Sequence, residues 1–162
     1  MSQHYLIALG SNMRVSGVGG PKQVLSAACA AMEESGLDIE AVSPFITSAP
    51  IGPSLRRYSN AAAVIACDAG PPELLVILQS IEREFGRVRS QRMGQRWRAR
   101  ALDLDIVLWS GGAWSAPALT IPHRELRRRD FVLGPACAIA GDWKDPLSGL
   151  TVQQLRARLK RA

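Results

Sequence analysis

Asp103 and Asp105, separated by one residue inside the apolar run 102–108, are the pair of side chains in this sequence best suited to chemistry. Read as a strand, the run sends Leu102, Leu104, Ile106 and Leu108 to one face and both aspartates to the other. Carboxylates two positions apart on a strand lie roughly 6 to 7 Å from each other. Their repulsion, about 2 to 3 kcal/mol at an effective dielectric near 20, calls for a cation between or beside them. Hard oxygen donors suit Mg²⁺, which is commonly held by one or two carboxylates together with substrate phosphates. An Asp-x-Asp pair alone fits a solvated strand face equally well. Its neighbourhood favours a site, because Arg87, Arg89, Arg92, Arg96, Arg98 and Arg100 stand immediately before it. Paired acids and a polycationic stretch opening on one pocket serve phosphoryl transfer through charge neutralisation and positioning.

The formal charge of +6 over 162 residues points to an anionic partner, with nucleic acid, an anionic membrane and a polyphosphate nucleotide all compatible. Neither a Walker-type loop nor a Gly-x-Gly-x-x-Gly turn occurs, so a bound nucleotide would be held by arginine side chains and metal. With 47% hydrophobic and 21% charged residues the composition is that of a soluble globular chain. Its longest apolar runs are too short to cross a bilayer. The N-terminus lacks the features of a secretory signal, and a cytoplasmic protein is expected. Cys29, Cys67 and Cys137 read as reduced core thiols.

The elements that must position these residues follow from periodicity and punctuation. Strands are expected at 4–10, 37–47, 58–67 and 101–109, and helices at 22–35 and 73–85, each opened by proline and closed by glycine. Beyond Pro122 short helical pieces and loops follow. The order βαββαβ is that of a ferredoxin-like α+β sandwich, with an antiparallel sheet, both helices on one face and the other face left available. No repeat or linker divides the chain, and a single domain over 1–162 is expected.

The segment Arg96-Trp97-Arg98-Ala99-Arg100-Ala101-Leu102-Asp103-Leu104-Asp105-Ile106 resembles the signature of the 6-hydroxymethyl-7,8-dihydropterin pyrophosphokinases. Similar segments run through the chain in the family's order. They are 8–12, 48–53 (Ser-Ala-Pro-Ile-Gly-Pro), 58–62 (Tyr-Ser-Asn-Ala-Ala), 79–82 with 86–89, and 121–123 with 129–131. The resemblance implies transfer of the pyrophosphoryl group of ATP to the pterin's hydroxymethyl oxygen, leaving AMP, in folate biosynthesis. It implies two Mg²⁺ ions on Asp103 and Asp105, and Arg87 and Arg100 acting with them at the phosphates. Gln79, Glu82, Arg89, His123, Arg124 and Arg129 match ATP-site positions. Ser48, Pro50, Ile51, Tyr58, Asn60, Trp97 and Phe131 match the pterin site, where Tyr58 and Phe131 stack on the heterocycle, Asn60 reads its amide-like edge and Trp97 covers it. The loops 44–57 and 89–98 would close over both substrates and exclude water.

The sequence departs from the family's pattern at Ser48-Ala49-Pro50, at Trp97-Arg98-Ala99-Arg100, in a longer loop between Arg89 and Trp97, and at Arg124, where an aromatic residue is often found. A nucleic-acid module shares the fold order, but its central strands should carry stacked aromatics rather than two aspartates. A catalytically silent relative is disfavoured by the presence of both acids and the matched arginines. A monomer acting on small molecules, without nucleic acid or membrane partners, is therefore expected.

Overall fold

A computed structural model describes residues 2–48, 57–86 and 101–162. The chain runs β1 (Gln3–Ser11), α1 (Pro21–Glu34), β2 (Asp38–Val42), β3 (Ile46–Ser48), β4 (Tyr58–Cys67), α2 (Pro71–Gly86), β5 (Asp103–Trp109), β6 (Trp114–Ala116), β7 (Leu119–Ile121), α3 (Asp130–Ala140) and α4 (Val152–Arg161). The main sheet is antiparallel in the order β2-β4-β1-β5, with β3 also paired to β4. This is the expected ferredoxin-like order.

The expected strand at 37–47 is two strands, because Pro44 has no N–H for the ladder. Ser43 bridges the gap by donating its own N–H to the Ala62 carbonyl at 2.9 Å and accepting the Ala62 N–H on its hydroxyl at 2.8 Å. Both halves therefore stay on β4.

Helices α1 and α2 cover one face, as the spacing of their apolar residues demands. Val24, Leu25, Ala28 and Met32 of α1 and Leu74, Leu78 and Ile81 of α2 are buried against Tyr5, Ile7, Leu9, Ala61, Ala63, Ile65, Leu104 and Ile106. Glu73 in the first turn and Arg83 in the last oppose the ends of the α2 dipole. The second face is not wholly open, contrary to the expectation. Leu6, Ala62, Val64, Val107 and Leu108 form a second core there with Leu126, with Leu133, Ala136 and Ala140 of α3, and with Val152 and Leu155 of α4. Leu108 changes face because Leu6 pairs with Leu108 while Ile7 pairs with Ile106, which leaves Val107 as the extra residue of a bulge. Alternation up to Ile106 holds, and beyond the bulge it is inverted. Burying Val107 and Leu108 side by side gives α3 and α4 an apolar surface worth roughly 1.5 to 3 kcal/mol per side chain.

Helix α4 starts at a capping box, where the Gln154 N–H donates to Thr151 Oγ1 at 3.1 Å and Gln154 Oε1 accepts the Thr151 N–H at 2.9 Å. The turn before it is built on Asp145, whose side chain is 0% exposed. Arg127 donates to Asp145 Oδ2 through Nε at 2.9 Å and Nη2 at 2.6 Å, Ser148 Oγ donates to the same oxygen at 2.7 Å, and the Leu147 N–H donates to Oδ1 at 3.0 Å. The three cysteines are unpaired and only partly buried, and burial is the largest influence raising each thiol pKa. Among the described residues no helix is long and apolar enough to cross a membrane.

Desolvation pushes the Asp145 carboxyl up, but the bonds from Ser148, Leu147 and Arg127 outweigh it and its pKa lies below the ordinary value. A carboxyl depressed in the folded state stabilises fully above its unfolded pKa, and that stabilisation is lost as pH falls through the lower folded value. Urea unfolding followed across the acid range should therefore show a stability loss that is shallower in Asp145→Asn. Identical slopes in the two proteins would contradict this account.

Candidate active site

Residues directly opposed in adjacent strands share a face, so the register defines which side chains meet on the open half of the second face. Gly10 of the central strand is opposed by Asn60 on one side and Asp103 on the other, and Ile46 opposes Asn60 in turn. One step toward the second core, Ala8 is opposed by Ala62 and Asp105. Tyr58 lies on the same face of β4, two residues before Asn60, with Ser48 as its backbone partner. Asp103 and Asp105 thus point to one side of the sheet, away from Leu104 and Ile106, which enter the first core. Asn60 and Asp103 stand on either side of β1, their backbones two strand spacings or about 10 Å apart. The floor between them is Gly10. A Cβ built there would lie 3.3 Å from Asn60 Oδ1 and 3.9 Å from Tyr58 Cδ1, so the missing side chain lets the Asn60 amide lean over the central strand.

At the outer edge of β5 a cleft of about 460 Å³ is lined by Gln79 and Glu82 of α2, by Asp105, by the turn joining β6 to β7, and by His123 and Arg124. Glu82 closes the strand edge, accepting the Leu104 N–H at 2.8 Å on Oε2. His123 follows β7 and is tied to β5 by its N–H, which donates to the Val107 carbonyl at 3.0 Å. Its ring is oriented from behind, because the Glu125 N–H donates to Nδ1 at 3.1 Å. Nε2 then faces Asp105 Oδ2 at 3.9 Å, with the two side chains 30% and 47% exposed. At that distance and exposure the pair contributes little to stability, and Asp105 is left accessible from the cleft.

Of the residues singled out in the sequence, Gln79, Glu82, Asp105, His123 and Arg124 meet in this cleft. Asp103, Asn60 and Tyr58 share the adjoining sheet face. Arg129 precedes α3 and does not line the cleft; its guanidinium lies 5.5 Å from the centroid of the Phe131 ring in the first turn of that helix. Arg87, Arg89, Arg92, Arg96, Trp97, Arg98, Arg100, Pro50 and Ile51 lie outside the described residues, as does the greater part of both loops expected to close. Sequence reasoning missed the β6–β7 hairpin, whose Leu119 and Thr120 form one wall, although Pro117 between two short alternating segments marks a turn. It placed Gly10 at the end of the first strand but missed its role, which lies in the space its missing side chain leaves.

Among the described residues no three His, Cys, Asp or Glu side chains come together as a metal-holding group. The two strand carboxylates are hard oxygen donors, and a cation held by them would fill its remaining positions with substrate oxygens and water, a donor set that suits Mg²⁺.

The fold and this site define a ferredoxin-like α+β protein whose open half-face carries an acid pair beside a polar cleft that holds His123 and Arg124. The family model of 7,8-dihydro-6-hydroxymethylpterin-pyrophosphokinase (HPPK) matches residues 6–141, and the chain belongs to that family. A 2-amino-4-hydroxy-6-hydroxymethyldihydropteridine pyrophosphokinase from Pseudomonas aeruginosa is 38% identical over 90% of this chain and 86% of its own length. Its counterpart from Haemophilus influenzae is 38% identical over 93% and 89%. The Synechocystis sp. protein of the same name is 39% identical over 75% of this chain, and the match spans 60% of its own length. Among solved structures, Plasmodium falciparum HPPK-DHPS with pteroate superposes with a TM-score of 0.70 at 12% identity, covering 98% of this chain and 42% of that one. At that identity the likeness concerns the fold.

Because His123 Nδ1 is an acceptor, the neutral imidazole should carry its proton on Nε2, toward Asp105. The ¹⁵N shifts of the two histidines, separated by a His4→Gln variant, should show that tautomer for His123; a dominant Nδ1–H form would contradict the geometry.

Proposed function

We propose that this chain transfers the pyrophosphoryl group of ATP to 6-hydroxymethyl-7,8-dihydropterin, giving AMP and the pterin diphosphate in folate biosynthesis. The observation that carries the reading is the row Asn60, Gly10, Asp103. It sets an amide suited to a pterin edge and the first of two carboxylates on one open floor, beside a cleft holding His123 and Arg124. Membership of the family supports the same reading.

In the reaction the hydroxymethyl oxygen attacks the β-phosphorus and gives up its proton to solvent, the bond from that phosphorus to the oxygen it shares with the α-phosphate breaks, and AMP departs with that oxygen. Tyr58 and Phe131 supply stacking surfaces for the pterin and Asn60 a donor and an acceptor, while Ser48, Pro50, Ile51 and Trp97 are assigned to the same slot from the resemblance. Gln79, Glu82, Arg89, His123, Arg124 and Arg129 are assigned to ATP. Arg87 and Arg100 are placed at the phosphates, where guanidinium forks stabilise the charge growing on the leaving AMP. Asp103 and Asp105 would hold two Mg²⁺ ions, which neutralise the triphosphate and make it a competent electrophile when bound. With these carboxylates in place the acceptor oxygen and the phosphate chain are held in one orientation, which is where most of the rate enhancement of a phosphoryl transfer arises. The reading takes 1–162 as one domain working as a cytoplasmic monomer. The acid pair on the open face, which would repel a polyanionic backbone, supports small substrates over nucleic acid.

Incubated with ATP, the pterin and MgCl₂, the protein should release AMP rather than ADP. Asp103→Ala or Asp105→Ala should lower turnover by about 10²-fold or more with the circular dichroism spectrum unchanged. Wild-type turnover in either variant would remove the acid pair from the mechanism.

A further inference from the structure

The cationic turn 123–129, which carries His123, Arg124 and Arg129, is joined to β5 at its start and to α3 at its end, where the Arg129 carbonyl accepts the Val132 and Leu133 N–H groups at 3.0 Å each. Leu126 inserts into the second core, and the His123 N–H reaches Val107. Within the turn itself the Leu126 N–H reaches the His123 carbonyl at 3.1 Å, the Glu125 N–H reaches His123 Nδ1 at 3.1 Å and the Arg128 N–H reaches the Glu125 carbonyl at 3.0 Å. Further ties come from far along the chain. Asp145 takes the Arg127 guanidinium through two N–H groups on one oxygen, and Arg156 of α4 donates through Nε to Asp130 Oδ1 at 3.1 Å, one residue past the turn. Asp145 and Arg156 both lie beyond residue 141, where the family model's match ends.

We propose that the C-terminal segment 142–162 is a positioning element for the nucleotide site. Asp145 on Arg127 and Arg156 on Asp130 hold the C-terminal half of the basic turn, opposite the His123 end that β5 holds, and so set where its side chains meet the triphosphate. The inference rests on the functional reading above for the identity of the ligand, and on the contacts alone for the mechanical link.

The two grips differ in strength and are complementary in sign. Asp145 is wholly buried, with Ser148 donating to the same Oδ2 that takes Arg127 and the Leu147 N–H donating to Oδ1, so the carboxylate cannot drift from Arg127 without losing a set of bonds at once. It is rooted in turn by its own backbone, its N–H donating to the Leu150 carbonyl at 2.8 Å and its carbonyl accepting from the Gly149 N–H at 2.8 Å. The capping box on Thr151 then anchors this turn to α4. Arg127 is 37% exposed, so its guanidinium spans from the buried anchor to the surface on which the turn presents its charges. The Asp130 and Arg156 pair is more open and secures the junction with α3, beside Arg129. Neither Arg127 nor Asp145 lines the cleft, so both act through the residues they hold.

The 162-residue protein is compared with Asp145→Asn, which keeps the shape and removes the charge, with Arg127→Lys, which keeps the charge and loses the fork, and with Arg156→Gln. In folded Asp145→Asn the KM for ATP should rise about tenfold while kcat and the pterin KM change by less than about twofold, the size expected of a small displacement away from the chemistry. Arg127→Lys should fall between it and the wild type, and the His123 ¹⁵N resonances should move in Asp145→Asn. A uniform fall in kcat with both KM values unchanged would mean lost folded protein only and would overturn the proposal, as would unmoved His123 signals together with a wild-type ATP KM. Should Asp145→Asn fail to fold, Arg156→Gln, at the more exposed pair, is judged by the same ATP KM and His123 signals. If the wild type releases no AMP, the functional reading fails, and the His123 resonances alone then decide whether the segment positions the turn.

Discussion

The arrangement depends on what the central strand does not carry. β1 presents Leu6, Ala8 and Gly10 in succession to the second face of the sheet, and the decrease in size divides that face in two. At Leu6 the surface is apolar and α3 and α4 close over it. At Gly10 there is no side chain, and the polar residues of β4 and β5 look at each other across a bare backbone. A single strand thereby fixes both the boundary of a core and the floor of a site.

The bulge at Val107 sharpens that boundary. With strict alternation Leu108 would have entered the first core beside Ile106. The extra residue instead sends Val107 and Leu108 together to the second, giving the C-terminal helices enough apolar surface to seat on, while Asp103 and Asp105 keep the regular alternation that leaves them on the open half. The His123 N–H bonds the carbonyl of the bulged residue itself. The irregularity that admits the C-terminal layer is therefore also what locates the histidine beside Asp105, and core formation and site formation are coupled at one peptide.

Much of this was legible in the sequence because it is governed by local rules. Strand β4 occupies its expected span, 58–67, and the proline starts and glycine stops of α1 and α2 fall within two residues of the helix ends. The shared face of Asp103 and Asp105 follows from alternation alone. What could not be read depends on pairing between distant residues. Nothing in 101–109 reveals that Leu6 and Ile7 will take partners two apart in β5. Pro135 lies inside α3, where a helix rule expects a break, so the apolar run 130–140 did not announce itself as one helix covering a sheet. The bond between Arg127 and Asp145 joins residues 18 positions apart through a turn with no periodic signal. Of the site, the residue types came through and Gly10 did not, since a glycine's importance here lies in the space above it.

The empty position on β1 lets Asn60 and the acid pair share one floor, and the assignment of the site rests on that vacancy. Replacing Gly10 by valine keeps a residue that strands favour, yet its Cβ would already stand 3.3 Å from Asn60 Oδ1 and its two methyl groups would reach further into the slot. Equilibrium binding of 6-hydroxymethyl-7,8-dihydropterin to Gly10→Val, with the fold checked by circular dichroism, should be weaker than wild type by about tenfold or more, since a filled slot rejects its ligand. Binding at wild-type strength by a correctly folded Gly10→Val would show that the open floor is incidental, and the assignment built on it would fall.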